Sequence, residues 1–204
     1  GFNTDGAPIH ARDLQAVGAM MVVLNDALRP NLAQTTEHTP ALIHAGPFAN
    51  IAHGTCSVIA QRIGLASGEY IVNEAGFGAD LGAEKYLDIV MPSSGIKPAA
   101  AVLVATVRAL KRHDLASGNL TAGLDNLGKH VENLRKYRLP IVVALNRFPD
   151  DGDEELRIVK SFCSGLGVEV ALSEVFAKGG AGAIELGEKI IDAASKVKLD
   201  EVQP

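Results

Sequence analysis

The sequence predicts an α/β fold of three layers, with a mainly parallel sheet of about five strands and helices packed on it. Three observations carry this expectation. Short apolar runs alternate with longer segments of helical spacing, the order that a repeated strand-helix unit requires. Each run is bounded by turn chemistry supplied by Gly, Pro, Asn or Asp. The 204-residue chain is 47% hydrophobic and 21% charged, with 21 Gly and only 4% aromatic residues. Its core must therefore be built from small and branched aliphatic side chains with close backbone approaches, which suits helices laid on a parallel sheet.

Residues 11–28 form the first predicted helix, because Leu14, Val17, Met21, Leu24 and Leu28 recur at steps of three and four and Pro30 stops the run. The first strand is expected over 41–45. A second helix over 50–65 takes Asn50 as its N-cap after Gly46 and Pro47. Strand 70–73 and a helix over 81–89 follow, then strand 100–107 and a helix over 119–137. Strand 141–145 precedes a helix over 153–164, whose first turn holds Asp153, Glu154 and Glu155 where a helix dipole favours negative charge. The last pair is strand 168–172 and a helix over 183–196. With no internal repeat and no low-complexity linker, residues 1–29 read as an N-terminal helical extension and residues 30–204 as one α/β domain.

Nineteen basic against twenty-four acidic side chains leave a net charge of −5 and a pI near 5.7. Such a balance offers no footprint for a phosphate backbone, so nucleic acid is not an expected partner. No apolar run approaches the roughly 18 to 20 residues of a membrane helix, and the first residues lack the pattern of a secretory leader. Cys56 and Cys163 are the only cysteines, which fits a reduced compartment, with the cytoplasm as the expected location.

In an open parallel sheet, ligands bind beyond the carboxyl ends of the strands. Four such segments carry chemistry: Gly46 to Asn50, Glu74 to Gly82, Asn146 to Asp151, and Ser173 to Gly180. In the second, Gly76 and Gly78 flank Phe77, so the chain either turns sharply and aims amide N–H groups at an anion, or merely turns while Glu74 or Asp80 caps a helix. In the third, Pro149 restricts Phe148 to an extended conformation after Asn146. That ring either projects as a stacking platform or tucks into the core while Asp150 and Asp151 cap the next helix. The fourth supplies a second aromatic, Phe176.

His38, His44 and His53 match no zinc spacing, and neither CxxC nor HExxH occurs, so no metal site is expected and the histidines read as structural. Cys56 reads as an inert thiol in a helix, and Gly54 in that helix marks close backbone packing or ligand approach. Arg108 and Lys111 either meet an anion or form a solvated basic edge. Neither GxxxxGK[ST] nor a dinucleotide fingerprint is present, so no triphosphate cradle is visible. Asn146 and Asp150 are four residues apart, not three, which excludes a guanine-reading motif.

The segments TPALIHAGPFANIAHG, NEAGFGADLGAEKYLDI, VATVRALK, NLGKHVENL, IVVALNRFPDD and SEVFAKGG occur in this order over nearly the whole chain. Together they resemble formate–tetrahydrofolate ligase, also called formyltetrahydrofolate synthetase. The resemblance implies a P-loop NTPase-like part of a larger cytoplasmic enzyme of one-carbon metabolism, homotetrameric in the family. That enzyme activates formate with ATP as formyl phosphate and formylates tetrahydrofolate at N10. Magnesium would accompany ATP, and a monovalent cation such as K+ or NH4+ would activate. The family's P-loop lies upstream of the matched region, so the chain looks like an internal fragment and is expected to be inactive alone. The alternative is a non-catalytic module that keeps the folate and formyl-phosphate loops for binding or assembly.

Carried over residue by residue, the resemblance places Phe77 and Gly78 against formyl phosphate, with Leu172 beside the same pocket. Phe148 matches the aromatic on one face of the folate, with Asn146 and Pro149 in its loop. Phe176 stands where the family has Trp, on the other face. HGTCS replaces the usual HGCNS, and AKGGAGA the usual AKGGEGG.

Overall fold

A computed structural model describes residues 1–114 and 118–204. They divide into two compact units, one made of Gly1–Ala49 and Cys56–Asn73, the other of Asn50–Thr55 and Glu74–Pro204.

In the first unit, helix α1 (Val17–Ala27) has no buried residue. Strands β1 (Asn31–Gln34) and β2 (Pro40–Ile43) pair antiparallel, with Leu32 opposite Leu42. Their turn is closed by the Thr39 N–H donating to Thr35 Oγ1 at 3.0 Å, and His38 takes a positive φ of 65° within it. The sequence predicted strand 41–45 as part of the parallel sheet; instead it forms the second arm of this hairpin. Residues 70–73, also predicted as a strand, join no ladder: Val72 is 96% exposed and no neighbouring strand offers its backbone a partner among the described residues.

Helix α2 (Gly46–His53) and helix α3 (Val58–Ser67) occupy the region predicted as one helix. The break falls at Gly54, whose φ of +85° ends the right-handed coil. Consequently His53 ends α2 instead of opening a helix, and Cys56, half-buried, lies in the break. Ser57 caps α3: the Ala60 N–H donates to its Oγ at 3.1 Å. His44 is buried and contacts Ser57 Oγ through Nδ1 at 2.6 Å and the Ala27 carbonyl through Nε2 at 2.7 Å. A carbonyl only accepts, so Nε2 carries the proton, and the Ser57 hydroxyl donates to Nδ1. The histidine thus does structural work, latching a helix end to a helix cap.

The second unit holds strands β3 (Ala101–Ala105), β4 (Ile141–Asn146) and β5 (Glu169–Ser173), parallel and adjacent in that order. These are three of the five predicted runs, so the α/β class with a parallel sheet holds, while that sheet counts three strands among the described residues. Predicted strand 100–107 stops early, because Thr106 leaves the ladder to cap the six-residue helix α4 (Val107–Arg112), accepting from the Ala109 N–H. Central β4 buries Val142, Val143 and Leu145 completely, as a strand covered on both faces must.

Helix α5 (Leu120–Lys136) buries Leu120, Leu124, Leu127, Val131 and Leu134, an alternation of four and three that makes one continuous stripe. It packs on β3 and β4. On β3, Leu103 and Ala105 are buried while Val102 and Val104 are exposed, so α5 covers the Leu103 face. Helix α6 (Asp153–Gly165) buries Leu156, Val159 and Cys163 and lies against β5 and α5. Helix α7 (Val175–Lys178) is a single turn after β5, and helix α8 (Ile184–Ser195) packs on β4 and β5. Lys189 of α8 reaches Glu169 at 2.6 Å. Glu169 shares a row with Val142 and Val102, which sets α8 on the face opposite α5 and completes three layers.

Ahead of this sheet, residues 79–94 are helical throughout. Wide π turns run over Ala79–Ala83 and Tyr86–Val90, and they bury Tyr86, Leu87 and Val90. Such turns are rare and concentrate at functional sites.

Candidate functional site

The parallel order makes the ends of β4 and β5 neighbours, with Asn146 registered against Ser173. The ladder continues one residue further, since the Arg147 N–H donates to the Ser173 carbonyl at 2.9 Å. Phe148 follows directly. Its N–H donates to Asp151 Oδ2 at 2.8 Å, and the Asp151 N–H returns to the Phe148 carbonyl at 3.1 Å. The result is a four-residue turn with Pro149 at its second position, where a fixed φ suits it. Asp151 therefore closes the turn, while the next helix is opened by Gly152 with Glu155 accepting from its N–H at 3.1 Å. Phe148 is half-buried, and the Arg108 guanidinium sits over its ring 5.8 Å from the centroid. One ring face is thereby backed by a cation.

Across the edge, Leu172 is half-buried opposite Leu145, and Phe176 projects from α7 with 86% exposure. Asn146 carries a buried Oδ1 that finds no hydrogen-bond partner among the described residues, and Pro149 is exposed. An orphaned buried acceptor is uncommon and is satisfied when a ligand supplies a donor.

Arg147 was not singled out by the sequence, and Arg108 was read only as an anion contact or a solvated basic edge, yet each holds part of this strand end. The Arg147 guanidinium meets Asp153 Oδ1 at 3.2 Å and Glu174 Oε1 at 3.7 Å. Glu174 is held below the usual carboxylate range by Lys178 and, less strongly, by Arg147. Arg108, Lys111 and Arg112 line a cleft of about 400 Å³ beside Asp150 and Asp151. Lys111 is spent on Glu155, whose carboxyl it holds below the usual range together with the Gly152 N–H.

Phe77 and Gly78 lie on a different segment. Phe77 has a φ of +65°, which a bulky side chain rarely adopts, and is 70% exposed. The Gly78 carbonyl accepts from the Leu81 and Gly82 N–H groups, both at 3.0 Å, opening the π turns. Behind Phe77 the backbone is pinned by glycines. The Gly76 N–H donates to the Gly54 carbonyl at 2.7 Å, and Thr55 bridges Ala75. A Cβ on Gly54 would lie 2.3 Å from the Gly82 oxygen, and one on Gly82 only 1.8 Å from the Gly76 oxygen. Close packing accounts for Gly54. Among the described residues, no hydrogen bond or ion pair joins Phe77 or Gly78 to the strand-end loops. Nor is any group of three or more His, Cys, Asp or Glu side chains arranged for a metal among them.

The profile of the family described as formate–tetrahydrofolate ligase matches residues 1–203. The formate–tetrahydrofolate ligase of Petrotoga mobilis (strain DSM 10674 / SJ95) is 52% identical over 203 residues, a match covering 95% of this chain. The chain spans 37% of the length of that relative. A match along essentially every residue, at this identity, is decisive: the chain belongs to the formate–tetrahydrofolate ligase family.

Proposed function

We propose that this chain forms the folate and formyl-phosphate side of an ATP-dependent ligase, which formylates tetrahydrofolate at N10 through formyl phosphate. The observation that carries the reading is the register of β4 against β5, which sets the Phe148 and Phe176 loops side by side at the carboxyl edge. In this reading a flat pteridine stacks on the face of Phe148 opposite Arg108, while Phe176 covers its other face. Asn146 offers the ring system its unpaired acceptor, and Pro149 stiffens the Phe148 turn.

Phe77 and Gly78, with Leu172 nearer the folate, form the wall for formyl phosphate. A mixed anhydride of this kind needs amide donors, exclusion of water and an amine held in line for attack. The strained Phe77 backbone supports a role beyond a simple turn, because strain of this kind collects at functional positions. ATP and Mg2+ are not assigned to residues of this chain, since it offers neither a phosphate-binding lysine motif nor a described metal cluster. A homotetramer, a cytoplasmic location and activation by K+ or NH4+ belong to the same reading and rest on family membership.

Calorimetric titration of the 204-residue chain with tetrahydrofolate tests the proposal. Saturable binding that is lost on replacing Phe148 is the expected result; absence of binding overturns it. Turnover of formate, ATP and tetrahydrofolate by the chain alone is expected to be nil, and robust synthesis of 10-formyltetrahydrofolate would contradict the assignment of the nucleotide elsewhere.

A further inference from the structure

Phe176 poses a positional problem. A ring that is 86% exposed is not held in place by packing, so its location depends on the backbone that carries it. That backbone is the single turn α7, and α7 begins immediately after Glu174.

Glu174 is fixed from several sides. Its N–H donates to the Gly182 carbonyl at 2.9 Å. Gly182 is pressed so tightly against it that a Cβ there would lie 2.5 Å from the Glu174 carbonyl carbon. Its carboxylate binds Lys178 through Oε2 within its own loop and Arg147 through Oε1 across the sheet edge. Arg147 in turn is anchored by its N–H on Ser173 and by Asp153 at the start of α6, and it immediately precedes Phe148. Among the described residues, the Arg147–Glu174 pair is the side-chain ion pair that joins the two aromatic loops.

We infer that Arg147 and Glu174 are positioning residues that fix the gap between the Phe148 and Phe176 rings, an inference that rests on the folate reading above. The pair sits at the base of both loops, so losing it removes their side-chain tie and loosens the spacing between them, while the Glu174 backbone contacts to Gly182 and the buried sheet remain. The ligand then meets a slot of variable width and must order it on binding, which weakens affinity without removing any contact.

The test is calorimetry of the 204-residue chain with tetrahydrofolate. Arg147→Met, which keeps the aliphatic stem, is expected to weaken binding by about three- to fivefold, the range open to a partly exposed pair. Arg147→Lys should recover part of the loss. Combined with Phe176→Ala, Arg147→Met should cost nothing further, because the ring it positions is gone; a role in overall stability would instead add its full effect. Glu174→Gln, isosteric with the native side chain, should reproduce the loss if the Arg147 variant fails to fold. Binding unchanged in Arg147→Met or Glu174→Gln, while Phe176→Ala weakens it, overturns the inference, as does full additivity. If the wild-type chain does not bind, or neither Phe148→Ala nor Phe176→Ala weakens binding, the folate reading itself falls and the positioning role with it.

Discussion

Gly82 lies against the carbonyl of Gly76 so closely that a methyl group on it would meet that oxygen at 1.8 Å. Backbone touches backbone here, and neither a rotamer change nor a flexible side chain relieves the overlap. The contact holds the Phe77 loop to the first of the π turns that follow it.

Gly82→Ala is therefore expected to cost at least about 2 kcal/mol, at the upper end of overpacking effects. Urea denaturation of the chain measures it. A loss below about 0.5 kcal/mol would mean that the loop and the helix part easily.

Leu145→Ala should destabilise by about 2–5 kcal/mol, since it empties a fully buried site at the centre of the sheet. Leu172, half-buried on the neighbouring strand, should cost less on the same replacement. If Leu172 lines the formyl-phosphate wall, its variant loses affinity out of proportion to its stability. Equal losses of stability at the two positions would refute that division.

Phe148→Ala is expected to weaken tetrahydrofolate binding by more than about tenfold, because stacking contributes about 0.5–1.5 kcal/mol beyond the buried area that is also lost. Phe176→Ala should weaken it while leaving the melting temperature unchanged, given the exposure of that ring. Phe176→Trp should tighten it modestly. Calorimetry and a thermal melt on each variant separate the two effects.

Phe77→Gly balances two terms. It relieves about 1–2 kcal/mol of left-handed backbone strain, yet glycine gives the unfolded chain about 0.4–1 kcal/mol more entropy to lose. Stability should then rise by no more than about 1.6 kcal/mol. A complete ligase carrying this loop should nonetheless lose formyl-phosphate formation, and unchanged kcat and formate KM would reduce the loop to a turn.

Tyr137 donates its hydroxyl to Asp88 Oδ2 at 3.0 Å, and burial together with that carboxylate pushes its pKa up to about 12. An unfolded tyrosine titrates near 10. Below about pH 10 both states are protonated and the contribution is complete; between about 10 and 12 only the unfolded chain loses its proton, so stability falls. Tyr137→Phe should flatten this part of the stability–pH curve. A variant with the same alkaline slope as the native protein would show that another group is responsible.

What the sequence disclosed depended on whether the relevant signal was local. Val142, Val143 and Leu145 sit in one uninterrupted apolar run, and the Leu120 to Leu134 stripe repeats along one helix face, so these elements were legible. Residues 41–43 are as apolar as a parallel strand but pair with a hairpin partner, and nothing in their composition names that partner. Residues 70–73 have strand-like side chains but join no ladder among the described residues. Gly54 was marked as anomalous in a helix, but only its φ of +85° reveals that the helix ends there.

The candidate site divides in the same way. Phe148, Phe176 and the glycines around Phe77 stand out by residue type at strand ends. Arg147 does not, and Arg108 stood out only as an anion contact or a basic edge, because a charged residue declares its purpose only through partners distant in sequence: Glu174 for one, the Phe148 ring for the other.

The exposed ring of Phe176 has an optical consequence. The chain contains no tryptophan, so an indole placed at that position would be its sole fluorophore of that kind. Standing almost fully in water, it would begin with red-shifted emission and move toward the blue, or darken, as a flat ligand covered it. Occupancy of the slot would then be visible as light, with no label attached and no other indole contributing to the signal.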